Sequence, residues 1–153
     1  MLTTWRLTRP QYVETALSGE GSARYPGRWN TRGDRVVYVS EHLSLATLEV
    51  LAHAENLEML NQYVALEVTL PESITTLDEL PDTWQQNPPP DSTRQLGHKW
   101  LSEGNTLVLK VPSVLIPTEH NYLINPSHEA FAEVSVAGPV PLPFDSRLLK
   151  IEE

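Results

Sequence analysis

Cysteine is absent from this sequence of 153 residues, and so is any apolar run of about eighteen residues. The lack of cysteine excludes disulfides, thiolate metal sites and a cysteine nucleophile. The N-terminal stretch Met1-Leu2-Thr3-Thr4-Trp5-Arg6 has no apolar core of the kind that signal peptides carry. We therefore expect a cytoplasmic protein with no membrane partner.

Positive charge is also scarce, because 11 Lys and Arg residues face 20 Asp and Glu, for a formal net charge of -9. Affinity for a phosphate backbone needs a basic surface, so we expect no direct nucleic-acid binding. The five histidines show no tight metal-ligand spacing, and we predict no metal site. A chain of this length favours one domain with a substantial core over two independent domains.

Against this acidic background, a basic cluster lies between Ala23 and Arg35. Four of the 11 basic residues of the chain belong to it, namely Arg24, Arg28, Arg32 and Arg35. Glycines flank or interrupt the cluster and let backbone N–H groups approach a ligand, while arginine forks match phosphate geometry. The cluster predicts a site for a small anionic ligand. The alternative is a solvated hairpin with surface arginines.

The segment directly after the cluster, Val36–Ser40, is rich in β-branched residues and is predicted to be a strand. Because side chains alternate along a strand, Val37 and Val39 point to one face. Tyr38 and Ser40 then point together to the other face. A tyrosine and a serine are thus presented side by side, immediately after the arginine loop.

A helix is predicted over Leu45–His53, with Ser44 as its N-cap. It is apolar on nearly all sides, which is typical of a buried helix, yet Glu49 lies in its middle. The residues one turn away from Glu49 are mostly small and leave room beside the carboxylate. A buried carboxylate is costly unless it is paired or used. Glu49 is therefore either a functional acid or the partner of an arginine in a purely structural ion pair.

The rest of the chain predicts one more helix and several strands. Ser92 is predicted to cap this helix, which runs to about Ser102, and Gly104 ends the region. The predicted strands are Thr3–Leu7, Tyr63–Leu70, Ile74–Leu77, Thr106–Val111, Val114–Ile116, Asn121–Ile124 leading into a turn, and Val134–Val136. We predict a single α+β domain with more strand than helix.

Ordered blocks across nearly the whole chain resemble the RES domain family. They are GSARYPGRWN at 21–30, VYVSE at 37–41, ATLEVL at 46–51, VPS at 111–113 and NYLINP at 121–126. The resemblance implies one domain over residues 1–153, with mixed, mostly antiparallel sheets and few helices, similar to ADP-ribosyltransferase toxins. It also implies the toxin of a bacterial type II toxin–antitoxin pair that consumes NAD. Such a toxin cleaves the nicotinamide–ribose bond and depletes cellular NAD or, alternatively, transfers ADP-ribose from NAD to a protein.

The arginine, glutamate and serine that give the family its name match Arg28 or Arg24, Glu49 and Ser113. Cleavage of the nicotinamide–ribose bond passes through a cationic, oxocarbenium-like transition state, which a carboxylate in a dry site suits. We therefore expect Glu49 to hold the ribose hydroxyls and to stabilise the developing cation.

The other candidate residues are expected to bind the dinucleotide. Arg24 and Arg28 would clamp its diphosphate. Tyr38 would stack on the nicotinamide or hydrogen-bond the ribose. Ser40 and Ser113 would hold the substrate through their hydroxyl groups.

The resemblance further implies a cognate antitoxin with an Xre-like helix-turn-helix as partner, in an oligomeric complex. A competing interpretation is a non-catalytic module that binds a nucleotide. Arg6 and Asn121 are among the residues assigned structural roles. Arg6 is expected to form an ion pair inside the fold, and Asn121 is expected to form or cap a turn.

Overall fold

The computed structural model describes residues 1–54 and 61–149. The strands found there are β1 (Leu2–Thr8), β2 (Val37–Ser40), β3 (Val64–Leu70), β4 (Ile74–Thr76), β5 (Val108–Pro112), β6 (His120–Ile124) and β7 (Ser135–Pro141). They form one seven-stranded sheet in the spatial order β4-β5-β6-β2-β1-β3-β7.

The helices of the described residues are short. The α-helices are α1 (Glu20–Arg24), α2 (Leu43–His53) and α3 (Asp91–Glu103). Single 3₁₀ segments cover Pro10–Thr15, Glu129–Glu133 and Ser146–Leu149. None of the described helices is both long enough and apolar enough to cross a membrane.

Antiparallel pairing dominates the sheet. β1 pairs with β3 along its whole length, from Leu2 opposite Leu70 to Thr8 opposite Val64. β4 and β5 are the one parallel pair among the described strands. The predicted α+β class, with mostly antiparallel strands and few helices, is confirmed.

β2 lies in the middle of the sheet and separates two apolar clusters. Val37 and Val39 are buried in the cluster on one face. Tyr38 packs against the cluster on the other face, which includes Trp29 and Leu123. Full burial of one such aliphatic side chain stabilises a fold by about 1.5–3 kcal/mol. The predicted alternation is therefore present, and it directs Tyr38 toward the α3 side of the sheet.

The predicted end of α2 at His53 is confirmed, but its predicted start and burial are wrong. The helix begins at Leu43, so Ser44 lies in its first turn, and His42 occupies the N-cap with extended backbone and no side-chain cap bond. Leu45 and Ala46 are its buried residues, whereas Leu48 is 40% exposed. The helix packs against β1 and β2, and burial is therefore confined to the side that meets the sheet.

The strand predicted over Val114–Ile116 is also absent, and a closed loop replaces it. Ser113 N–H donates to Glu119 O at 3.0 Å, which joins the two ends of the loop. The amides of Leu115 and Ile116 donate to Ser113 Oγ, at 3.1 and 3.2 Å. Because the Ser113 side chain accepts from these two amides, they do not donate to a neighbouring strand, and the segment does not pair with the sheet.

α3 packs directly on the arginine loop. It begins at Asp91 after Pro90 at the N-cap, so the predicted cap Ser92 lies inside its first turn. It ends at Glu103, and Gly104 follows as the C-cap with a left-handed φ of 64°, as the predicted stop requires. A Cβ at Gly97 would lie 1.5 Å from the carbonyl oxygen of Trp29. A glycine is therefore required at this contact, which brings the side of α3 against the loop.

Candidate functional site

A cleft of about 750 Å³ opens beside β1, β2 and α2. Charged side chains from four parts of the chain line it, namely Arg6, Arg28, Glu49 and Arg94, with His53 at its side. Small-molecule sites usually occupy about 300–1,000 Å³. The cleft therefore has the size of a ligand site, and it combines three arginines with a single acid.

The carboxylate of Glu49 is held by neutral donors on one of its two oxygens. Oε1 accepts from Ser113 Oγ at 3.0 Å and from Asn121 Nδ2 at 2.9 Å. Oε2 lies 3.9 Å from Nε2 of the exposed His53. Within the described residues, no arginine forms an ion pair with Glu49. The structure thus leaves a fixed negative charge beside the cleft, with one oxygen free of hydrogen-bond donors from the described residues.

Asn121 connects Glu49 to β2. Its amide donates to Glu49, while its Oδ1 accepts from Ser40 Oγ at 2.7 Å. This is possible because β2 and β6 pair with Ser40 opposite Asn121. Ser40 lines the cleft, as predicted for a residue sharing the face of Tyr38. In this structure, however, its hydroxyl proton goes to Asn121.

The hydroxyl of Ser113 is fully engaged in positioning the acid. It donates to Glu49 and accepts from the two loop amides that follow it. Ser113 is 1% exposed and does not line the cleft. The structure therefore brings Ser113 to the site through Glu49 and not through the cleft itself.

The hydroxyl of Tyr38 likewise makes hydrogen bonds within the protein, both as a donor and as an acceptor. It donates to Asn30 Oδ1 at 2.7 Å and accepts from Trp29 N–H at 3.2 Å. Burial raises the pKa of Tyr38 far above its ordinary value, so the phenol stays neutral. A Cβ at Gly27 would come within 2.8 Å of this hydroxyl. With the oxygen occupied, the ring is the part of Tyr38 that remains for a ligand, which favours the stacking alternative.

Arg28 is tethered to the proline-rich loop before α3. Its Nη1 donates to the carbonyl oxygens of Trp84 and Gln86. Burial lowers the pKa of the Arg28 guanidinium, Glu49 opposes this shift and Arg94 adds to it. Arg28 is thus held at the cleft by neutral carbonyls, within electrostatic range of the acid.

Arg94 takes the place in the cleft that the sequence assigned to Arg24. Arg94 projects from α3, and its Nε donates to Gly27 O at 3.0 Å. Arg24 ends the short α1, is exposed and does not line the cleft. Of the two arginines predicted to act together, the structure brings only Arg28 to the acid.

The loop that carries Arg28 is fixed by two polar networks. Asn30 is fully buried, and its Oδ1 accepts from Gly27 N–H at 2.8 Å. Asp34 accepts from Thr31 at 2.7 Å and lies 2.9 Å from His98 Nδ1. Burial by itself raises the pKa of Asp34, but the bonds from Thr31 and His98 outweigh it, and the pKa lies below its ordinary value.

Three residues of the site were not predicted as such. Arg94 lies in an amphipathic helix where an arginine carries no local signal, and Arg6 occupies a strand. Asn121 offered a weak signal, because it is a polar residue directly before the apolar Tyr122–Ile124 of its strand. Its expected role in a turn is wrong, since it belongs to β6 and pairs across the sheet. The expected ion pair of Arg6 is absent among the described residues.

One group outside the cleft has metal-ligand chemistry. Glu41, His42 and Glu119 place one ligand atom each within 4.8 Å of one another. They lie where α2 and β6 begin. Exposed acidic groups of this kind are common without an ion, and the absence of a metal stays a prediction.

Comparisons with known proteins identify the family of the chain. Residues 3–145 match the family described as the RES domain. The chain is 37% identical over 153 residues to "Toxin Res" of Photorhabdus laumondii, covering 97% of this chain and 98% of that protein. It is 34% identical over 133 residues to the "Prs ADP-ribosylating toxin" of Sphingobium sp., covering 81% and 82%.

A solved structure shares the fold. A chain of the M. tuberculosis MbcT–MbcA toxin–antitoxin complex superimposes with a TM-score of 0.77, covering 93% of this chain and 84% of that chain. The sequence identity is 18%, so this likeness concerns the fold alone.

Proposed function

This chain belongs to the RES domain family, and on that premise we propose that it is the toxin of a toxin–antitoxin pair and cleaves NAD at the nicotinamide–ribose bond. Depletion of cellular NAD would then be its toxic effect. The proposal rests on the way in which the carboxylate of Glu49 is held. Its charge is held by a hydroxyl and an amide, not neutralised by an arginine, although arginines line the same cleft.

The cleft suits the charge distribution of the substrate. A dinucleotide carries its negative charge on the diphosphate, which guanidinium groups bind well. Its nicotinamide ring is flat and cationic, and such a group is attracted to an aromatic face such as that of Tyr38. Arg28 and Arg94 supply the guanidinium groups in this assignment, and Tyr38 supplies the ring.

The reaction requires stabilisation of positive charge on the ribose. As the bond between C1′ and nicotinamide breaks, its electron pair goes to the leaving nitrogen and the ribose becomes oxocarbenium-like. Glu49 stabilises that cation because its carboxylate is already oriented by Ser113 and Asn121, so no reorganisation is needed during the reaction. A water molecule then attacks C1′ and loses its proton, which gives ADP-ribose.

Transfer of ADP-ribose to a protein is the second candidate function. The relative from Sphingobium, whose printed name is an ADP-ribosylating toxin, favours it. The same cleft serves both reactions, because an acceptor side chain would replace the attacking water.

Incubation of the purified protein with NAD alone separates the two. Release of equimolar nicotinamide and free ADP-ribose supports hydrolysis. Turnover only after addition of a protein acceptor, with label from [adenylate-³²P]NAD appearing on it, supports transfer. Absence of turnover in both reactions, with NAD still binding, supports the non-catalytic module.

An antitoxin is the proposed partner, with an Xre-like helix-turn-helix as the family resemblance implies. The fold neighbour was solved in a toxin–antitoxin complex, which supports a partner of this kind. Expression of the chain alone should inhibit growth, and co-expression with its cognate antitoxin should restore it. Light scattering of the copurified complex would report whether it is oligomeric.

A further inference from the structure

His53 is the last residue of α2 and lies where the cleft meets solvent. It follows Glu49 by one helical turn, and residues four apart share one face of a helix. Both residues line the cleft. His53 Nε2 lies 3.9 Å from Glu49 Oε2, and the imidazole is 82% exposed. The structure thus places an accessible ring nitrogen beside the carboxylate oxygen to which no described residue donates.

The proposed hydrolysis releases one proton in every turnover. The nicotinamide of NAD is cationic while it is bonded to the ribose and leaves as a neutral molecule. The attacking water becomes a hydroxyl group of ADP-ribose, so one of its two protons must pass to an acceptor. A positioned side chain that takes up such a proton typically accelerates the step by about 10²- to 10⁴-fold.

Two side chains of the described cleft are basic enough to accept this proton at neutral pH. The three arginines offer hydrogen-bond donors and no acceptor. The hydroxyl, amide and indole groups that line the cleft are far too weakly basic. Glu49 and His53 therefore remain as the candidates within the part of the chain that the structure describes.

Glu49 would give up its assigned task by accepting the proton. A protonated carboxyl group is neutral and no longer stabilises positive charge on the ribose. A separate base allows the carboxylate to keep its charge until the new bond to C1′ has formed. Histidine is the side chain that most often serves as such a base, which favours His53 as the acceptor.

We infer that His53 is the general base of the proposed hydrolysis, an inference that deepens the proposed function and rests on it. One water oxygen can lie about 2.8 Å from both Glu49 Oε2 and His53 Nε2, because these two atoms are 3.9 Å apart. As this oxygen bonds to C1′, one of its O–H bonds breaks, the electron pair stays on the oxygen and the proton moves to Nε2. The resulting imidazolium lies beside Glu49 and at the C-terminal end of α2, and both favour a positive charge. Because the ring is exposed, it then passes the proton to solvent.

The test replaces the imidazole by a side chain that is not basic. In His53→Gln, kcat for release of nicotinamide from NAD should fall about 100-fold or more, with KM within about threefold of the wild-type value. His42→Gln is the matched control, because His42 Nε2 also lies 3.9 Å from a glutamate oxygen, that of Glu41, but does not line the cleft. The control should keep kcat within about twofold of the wild-type value. Both exposed substitutions should leave the melting temperature unchanged.

Azide separates the loss of a base from damage to the cleft. It is a nucleophile with no proton to lose, so it attacks C1′ through a terminal nitrogen without a general base. In His53→Gln, azide should restore the release of nicotinamide and give ADP-ribosyl azide, which mass spectrometry identifies. The wild type and His42→Gln should gain little from it, since their base is intact.

Three outcomes would overturn the role of His53 while the wild type still hydrolyses NAD. They are a kcat of His53→Gln within about threefold of the wild-type value, an equal loss in His42→Gln, and a loss that azide does not relieve. A wild type that releases no nicotinamide unless a protein acceptor is added gives a different result. It would overturn the proposed hydrolysis itself, and with it the need for a base that acts on water.

Discussion

Replacing Glu49 by glutamine removes the negative charge of the cleft and keeps the shape of the side chain. The glutamine carbonyl can accept the same two hydrogen bonds, from Ser113 and Asn121, that Oε1 accepts now. The new amide group would replace Oε2, whose neighbour is His53 Nε2 at 3.9 Å. The side chain of His53 is 82% exposed, so losing this contact has little effect on stability. We expect the variant to fold normally.

The expected loss of activity follows from the role of a fixed charge in the transition state. Removing one preorganised electrostatic contact lowers kcat by about 10²- to 10³-fold, or about 3–4 kcal/mol. Binding of NAD should not weaken, because the loss of the acid increases the positive excess that attracts the diphosphate. The effect should therefore appear in kcat, with KM unchanged or lower.

Nicotinamide release from NAD by Glu49→Gln, followed over a range of NAD concentrations, measures both parameters. Thermal unfolding of the same preparation checks the fold. Glu103→Gln is a matched control, since Glu103 is an exposed acid of α3 that pairs with Lys99 at 3.9 Å. A glutamine variant of Glu49 that keeps kcat within about fivefold of the wild-type value, or whose loss lies in KM alone, would refute the assigned role.

Three further predictions concern positioning, packing and pH. Asn121→Ala removes one of the two hydrogen bonds on the Glu49 carboxylate and should lower kcat for NAD about fivefold to tenfold at unchanged KM; equal effects on both would indicate damage to the cleft. Gly97→Ala would place a Cβ 1.5 Å from Trp29 O and should lower the free energy of unfolding in urea by about 3 kcal/mol or more, whereas Gly21→Ala, with nothing within 4 Å, should change it little. Because the pKa of Asp34 is depressed in the fold, its ionised form stabilises the protein above the ordinary pKa, and this contribution disappears as pH falls through the lower, folded value. The melting temperature of the wild type should therefore exceed that of Asp34→Asn at neutral pH and approach it in acid, and parallel curves would contradict this assignment.

Much of the fold could be predicted because its signals are local. Alternating β-branched residues marked β2 and β3, and Gly104 marked the end of α3. The faces of β2 follow from strand geometry alone, which places Tyr38 and Ser40 on the same face. Burial of α2 could not be predicted in this way. A helix that is apolar all round predicts contacts on all sides, whereas this helix is covered on the side of the sheet.

The site was only half predictable, because its geometry joins residues that are distant along the chain. Arg28 and Arg94 meet at the cleft only because α3 packs on the arginine loop at Gly97. Asn121 reaches Glu49 only because β6 pairs with β2. The cluster of arginines in the sequence therefore marked Arg28, which lines the cleft, but overrated Arg24, which shares the loop region without sharing the cleft.

The way the charges are held distinguishes this cleft from a structural ion pair. If Glu49 and Arg28 were paired for stability, they would neutralise each other and the arginine would satisfy both carboxylate oxygens. Instead Glu49 is held by a hydroxyl and an amide, and Arg28 by carbonyl oxygens, so each charge is oriented by neutral dipoles. Dipoles fix a charge without cancelling it, which is the condition for electrostatic catalysis.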